Sequence, residues 1–175
     1  MSTNWRISSF NGALLAAYFI PTWTIVALKI MVSPIQGLYE RPNISVALFI
    51  SDHLQLAALS TVRFAWLLAL GKLTVVAFFA LFVFLFTRAS IRKTGGCDEA
   101  LGIALAIGSL ISFASMVMAS QVGESAALRL HATELLLLLG TAIVLVVDGP
   151  ALPQTDRSAT SPDLSLRHPR LLDNT

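Results

Sequence analysis

Four long apolar stretches, separated by short polar ones, set the pattern of this chain. The most apolar stretch, Phe64–Phe86, contains a single charged side chain, Lys72. A helix needs about 20 consecutive apolar residues to cross the hydrocarbon core of a bilayer, and a soluble helix of ordinary length keeps a polar face. We therefore predict an all-α membrane protein built as a bundle of four transmembrane helices. The predicted spans are residues 12–31, 60–86, 101–119 and 126–147.

The second of these helices is expected to begin before the membrane does. Asp52, with Gln55 three residues later, matches a capping box, the side-chain arrangement that starts many helices. A helix from Asp52 to Phe86 would be about 52 Å long, so its first turns would project beyond the outer face of the bilayer. The preceding connector, Ser33–Ser51, is broken by prolines and a glycine. Its short apolar segment, Val46–Ile50, is expected to lie along the membrane surface or to pack against the bundle.

Small side chains recur along one face of the third predicted helix. They are Ala104, Gly108, Ser112, Ser115 and Ala119, spaced by three or four residues. Small residues at helical spacing let a neighbouring backbone approach closely, which is how helices associate in lipid. This stripe is therefore predicted to be a packing surface that places the third helix at the centre of the bundle.

Basic residues near the ends of the spans predict the orientation. Most of them lie on the side that holds both chain termini, and cytoplasmic loops of membrane proteins are enriched in Lys and Arg. We predict that both termini are cytoplasmic and that the protein resides in a bacterial inner membrane. Arg88, Arg92 and Lys93, which follow the second span, are expected to contact lipid headgroups.

Composition narrows the class of protein further. Hydrophobic residues make up 55% of the chain and charged residues only 13%, against about 25% charged in soluble domains. The net charge of +2 and the scattered basic residues argue against a nucleic-acid-binding surface. Residues 1–148 are interpreted as one transmembrane domain. The polar tail 149–175 is expected to be disordered and cytoplasmic, because it lacks an apolar periodicity.

Two charged residues are expected inside the membrane, Lys72 in the second helix and Glu134 in the fourth. They lie at similar depth when counted from the outer ends of their helices. A charge at the bilayer centre costs at least about 2.5–3.5 kcal/mol, so such residues usually face the bundle or pair with each other. We predict a buried ion pair. The alternatives are a proton relay or anion site, and a Lys72 side chain that snorkels towards the surface.

Two histidines, His53 and His131, are both expected towards the outer face. Histidines from different helices can ligate haem b or a metal ion, and this pair is the candidate for such a site. Ordinary interfacial histidines are the alternative. That alternative is favoured because no further residue completes a known ligand pattern.

The sequence carries no recognisable catalytic motif, neither a nucleophile with its base nor a phosphate-binding loop. We therefore favour a non-catalytic accessory, assembly or structural subunit of a larger membrane complex. Its expected partners are membrane lipids and either other membrane subunits or a second copy of itself. A small oligomeric transporter or channel is one alternative, and it would need a polar pathway across the membrane. A haem-b-binding electron-transfer subunit that uses His53 and His131 is the other.

Overall fold

The computed structural model describes residues 7–88 and 96–148, which are almost entirely helical. They form α1 (Ile7–Val32), α2 (Pro34–Leu38), α3 (Ile44–Phe49), α4 (Ala58–Thr87), α5 (Gly96–Val122) and α6 (Ser125–Asp148), and a π-helical turn, Ile50–Leu54, continues α3. The four long helices α1, α4, α5 and α6 are each long and apolar enough to cross a membrane. The predicted all-α bundle of four spans is therefore confirmed.

The four spans form a closed ring. Helix α1 packs on α4, α4 on α5 and α5 on α6, and α6 packs back against α1. Gly123 makes the tight turn between α5 and α6, where its φ of 76° lies in the left-handed region that glycine enters without strain. At the opposite end, the backbone N–H of Ser8 donates to the Asp148 carboxylate at 2.9 Å. The start of α1 and the end of α6 therefore lie at one end of the bundle, as an even number of spans requires.

Helix α4 begins at Ala58, so the prediction that it starts at Asp52 was wrong. Asp52 lies instead in the π-helical turn that continues α3. Gln55 then adopts a φ of 44°, a left-handed backbone that ends the turn, and no side chain caps the first turn of α4. The helix is still 30 residues long, or about 45 Å, which exceeds the roughly 30 Å hydrocarbon core.

Two apolar clusters fill the bundle, one at each end. The main cluster lies between the four spans and is centred on Phe19, Phe79 and Phe82. The connector cluster lies where α1 ends and α4 begins. Its buried residues are Ala27, Ile30, Leu38, Val46, Ala47, Ile50, Ala65 and Ala69. The apolar segment 46–50 therefore packs against the bundle, and α3 contacts α5.

Several predictions concern residues at the edges of the described chain. The guanidinium of Arg88 lies over the Phe84 ring, 4.6 Å from its centroid. Arg92, Lys93 and the tail 149–175 lie outside the described residues, so their lipid contacts and disorder stay predictions. The cytoplasmic location of the termini also stays a prediction from the distribution of basic residues.

Candidate functional site: a buried polar network

A network of polar side chains is buried between the main cluster and the connector cluster. It joins Trp23 of α1, Asn43 of the connector, Lys72 of α4, and His131 and Glu134 of α6. Lys72 and His131 are each 3% exposed and Glu134 is 6% exposed. Charged groups this deeply buried need partners within the protein, and the network supplies them.

Lys72 bonds to the connector. Its ammonium Nζ donates to Asn43 Oδ1 at 2.7 Å and lies 5.5 Å from the centroid of the Trp23 ring, within reach of a cation–π interaction. Asn43 Nδ2 in turn donates to the Gly37 carbonyl at 3.0 Å. Lysine can only donate, so the amide orientation of Asn43 is fixed by the two groups it bridges.

Close packing of the backbone is part of the same arrangement. A Cβ atom at Gly37 would lie 2.7 Å from both the Cα and the N of Ile30. No real Cβ atom tolerates such a contact with backbone, so α2 can lie on the last turns of α1 only with glycine at this position. The Gly37 carbonyl that Asn43 binds is thereby held against the end of α1.

Glu134 joins α6 to α1. Its Oε1 accepts a hydrogen bond from the indole Nε1 of Trp23 at 3.3 Å, and its Oε2 lies 3.0 Å from Nδ1 of His131, three residues earlier on the same helix. The other ring nitrogen of His131, Nε2, lies 3.0 Å from the Pro42 carbonyl oxygen. The network therefore contacts the connector at two points, Pro42 and Asn43.

Both ring nitrogens of His131 have a hydrogen-bonding partner. The Pro42 carbonyl can only accept, so the bond at this contact is donated by Nε2. The Glu134 carboxyl group is the partner of Nδ1. His131 therefore links α6 to the connector and to Glu134 at the same time.

The predicted partners Lys72 and Glu134 lie in one site, but they do not bond to each other. Lys72 bonds to Asn43, whereas Glu134 bonds to His131 and Trp23. The indole of Trp23 contacts both charges, one through its ring face and one through its N–H. The direct ion pair expected from the sequence is therefore replaced by two separately satisfied charges.

The two histidines occupy different surroundings. His53 is exposed and stacks on Phe49 with ring centroids 4.8 Å apart. His131 is buried, and both of its ring nitrogens bond to protein atoms. Neither nitrogen is free to ligate haem iron, so the residues present do not fit a haem site. Within residues 7–88 and 96–148, no group of three or more His, Cys, Asp or Glu side chains has a metal-binding arrangement.

The stripe of small residues on α5 lies in the interior. All five residues, Ala104, Gly108, Ser112, Ser115 and Ala119, are buried. A Cβ atom at Gly108 would meet Leu138 of α6 at 3.4 Å and Val75 of α4 at 3.6 Å. This part of the stripe therefore faces two neighbouring spans at once.

A cavity of about 320 Å³ lies beside the network, between α1 and α6. Trp23, Lys72, His131 and Glu134 line its inner wall, and the partly exposed Tyr18 lines its mouth. Sequence reasoning identified Lys72, His131 and Glu134 but missed Trp23, Pro42 and Asn43. A tryptophan in the middle of a span was the available signal, because a buried indole N–H usually finds an acceptor.

Comparison with known proteins adds no relative to this description. No protein-family model matches the chain, no curated protein matches its sequence, and no solved structure matches its fold.

Proposed function

We propose that this integral membrane protein is a non-catalytic accessory or structural subunit of a larger membrane complex. One observation carries the proposal: the buried ionisable side chains of the network bond to the connector. Lys72 holds Asn43, and His131 holds the Pro42 carbonyl. These groups hold a segment of chain in place, which is a structural task.

The physical reason lies in the backbone of the connector. Non-helical backbone at membrane depth is tolerated only where its polar groups are satisfied within the protein, since an unpaired buried carbonyl or N–H is costly. The Gly37 and Pro42 carbonyls lie in short or broken helical segments and receive side-chain hydrogen bonds from the network. The network therefore acts as a clamp that fixes the connector on the ends of the spans.

The chain that leads from the clamped connector into α4 presents one continuous exposed segment. All nine residues of Ser51–Leu59 are exposed, and they combine polar side chains such as Asp52 with the exposed leucines Leu54, Leu56 and Leu59. Gln55 in this segment adopts a left-handed backbone that only a few per cent of non-glycine residues show. A mixed surface that directly follows the clamped connector suits contact with the extramembrane part of a partner subunit.

The distribution of buried side chains supports this role over transport. Beyond the network, the large apolar side chains of the main cluster fill the bundle, among them Phe19, Phe79 and Phe82, and the buried polar side chains there are small hydroxyls such as Ser112 and Thr141. A transporter needs polar groups or water along its pathway. The described charged residues that are buried in the spans, by contrast, all belong to the network at the connector end.

Cross-linking in native membranes tests the proposal. Asp52→Cys places a thiol in the exposed segment, Ser125→Cys is a matched control at the exposed start of α6 at the same end of the bundle, and the native Cys97 is buried. We expect a membrane-impermeant thiol cross-linker to join Asp52→Cys, but not Ser125→Cys, to one partner in stoichiometric yield. Adding Lys72→Met should reduce that product, because it releases the clamp. Equal labelling of both positions, or a product unaffected by Lys72→Met, would contradict the proposal.

The cavity favours a second candidate function, binding of a small amphipathic ligand. Lys72 has donor capacity beyond its bond to Asn43, and Tyr18 adds a hydroxyl at the mouth of the cavity. An acidic head with a short apolar tail matches these groups. Decanoic acid should therefore raise the melting temperature of the purified protein more than decanol does, and Tyr18→Phe should reduce the difference. Equal stabilisation by the two additives would exclude this candidate.

A further inference from the structure

A second, separate cavity runs along the outside of the bundle between the end of α1 and the start of α4. It is a groove of about 540 Å³ that begins at Met31 and Arg63 and continues past Trp66 and Leu70 to Leu73. Arg63 is the one charged residue in its lining, and every other lining residue is apolar or aromatic. We propose that this groove binds an anionic phospholipid, with one acyl chain in the groove and the phosphate on the Arg63 guanidinium.

The length of the groove matches one leaflet of a bilayer. From Arg63 to Leu73 is a rise of ten residues, or about 15 Å along a helix. One leaflet contributes half of the roughly 30 Å hydrocarbon core. Arg63 directly precedes the apolar run Phe64–Phe86, so it lies at the boundary where headgroups begin.

The charge of the groove matches a phosphate. Arg63 is exposed, and in the described part of the chain its guanidinium makes no hydrogen bond or ion pair with another residue. A guanidinium at the edge of the lipid needs an anion, and its planar fork bonds phosphate oxygens through two N–H groups at once. Trp66, about one turn deeper, is a residue type that concentrates at the level of the headgroups.

The volume of the groove is sufficient for one acyl chain. The groove has a volume of about 540 Å³ and a lining that is apolar apart from Arg63, and a hydrocarbon chain lies along such a surface without any polar partner. The groove lies beside the connector, so a lipid bound there would contact the clamped end of the protein.

Fluorescence quenching tests this site directly. Trp66 lines the groove, so phosphatidylglycerol with brominated acyl chains should quench Trp66 when a chain enters. The full-length protein in detergent would be titrated with brominated phosphatidylglycerol and, separately, with brominated phosphatidylcholine. We expect phosphatidylglycerol to bind more tightly, and Trp66→Phe should remove the saturable part of the signal.

Variants at Arg63 test whether its charge causes the preference for phosphatidylglycerol. An anionic surface contributes about 1 kcal/mol for each nearby arginine, so Arg63→Gln should weaken phosphatidylglycerol binding about fivefold and leave phosphatidylcholine unchanged. Arg63→Lys keeps the charge and should retain most of the preference. Arg129→Gln, a change at an exposed arginine of α6 away from the groove, should have no effect.

Two results would overturn the proposal. Equal affinity for the two lipids, unaffected by Arg63→Gln, would show that only unspecific annular lipid reaches Trp66. Unquenched Trp66 fluorescence, together with loss of a co-purifying protein in Arg63→Gln, would show that another membrane protein covers the groove.

Discussion

The two ends of the bundle are held together by different forces. In the main cluster, large aromatic side chains fill the space between the spans, and Phe19 stacks on Phe79 with centroids 5.7 Å apart. At the connector end three of the four fully buried span residues in the cluster are alanines, Ala27, Ala65 and Ala69, beside Ile30, and hydrogen bonds from the network add to the packing. The main cluster is held by packing, with the hydrogen bond from Ser8 to Asp148 beside it, whereas the connector end combines packing with a buried network of polar side chains.

The difference follows from what each end has to satisfy. A spanning helix satisfies its own backbone, so two such helices need only pack well against each other in lipid. The connector cannot satisfy all of its own backbone, because α2 and α3 are short and a turn that contains Pro42 separates them. The buried charges of the described chain lie where this demand exists, beside Gly37 and Asn43. Four experiments test this difference between the two ends.

The largest effect is expected from Glu134→Leu. This change leaves the Trp23 N–H without its acceptor and His131 without its partner, both buried. Breaking a buried charged pair by removing one member destabilises a protein by about 3–5 kcal/mol. Thermal denaturation in detergent would measure the loss. A loss below about 1 kcal/mol would mean that water already enters the site and supports these groups.

Double-mutant cycles should rank the contacts inside the network. His131 bonds to Glu134 directly, so the pair His131→Leu and Glu134→Leu should show a coupling of about 1–3 kcal/mol, with part of each loss recovered in the double variant. Lys72 and Glu134 make no direct bond, so Lys72→Met with Glu134→Leu should couple more weakly. The opposite ranking would restore the direct ion pair predicted from the sequence.

Gly37→Ala should weaken the connector end by about 1–3 kcal/mol, the usual range for overpacking. The added methyl group meets the rigid backbone of Ile30 at 2.7 Å, so α2 must move away from α1. Gly140→Ala on α6 is the matched control, because nothing lies within 4 Å of its Cβ position. That change should stabilise the protein by about 0.5–1 kcal/mol through helix propensity. Similar losses of stability in the two variants would show that close packing at Gly37 is not specific to the connector.

The smallest loss is expected in the main cluster, from Leu105→Met. Leu105 is buried there, and swaps that conserve volume usually cost less than about 1.5 kcal/mol. Shape alone is changed, and methionine adapts to irregular gaps. Chemical denaturation of the purified protein would show the difference. A loss as large as that of Glu134→Leu would mean that the main cluster is as specific as the network.

The spans could be predicted from the sequence because each depends on its own apolar run. That Lys72 and Glu134 share one site could also be predicted, since equal depth in the membrane follows from counting residues. Their hydrogen-bond partners could not be predicted, because Pro42 and Asn43 reach the site only through the path of the connector, and Trp23 only through the packing of α1. No local pattern encodes that path.

The start of α4 shows how tertiary packing overrides a local signal. Asp52 and Gln55 resemble a capping box, yet the residues before them bury Val46, Ala47 and Ile50 against the bundle. This burial makes α3 a separate helix, and the left-handed backbone at Gln55 redirects the chain before α4 begins. Three apolar contacts outweigh a cap whose side-chain bonds are worth about 1 kcal/mol.

Hydrogen exchange in the Lys72→Met variant tests whether the network clamps the connector. Lys72 bonds to Asn43 and lies in α4, so its loss should open the connector while the spans stay packed. We expect faster exchange for the amides of residues 37–50 and unchanged protection for residues 100–119 of α5. Unchanged protection of residues 37–50, or equal loss of protection in both regions, would contradict this expectation.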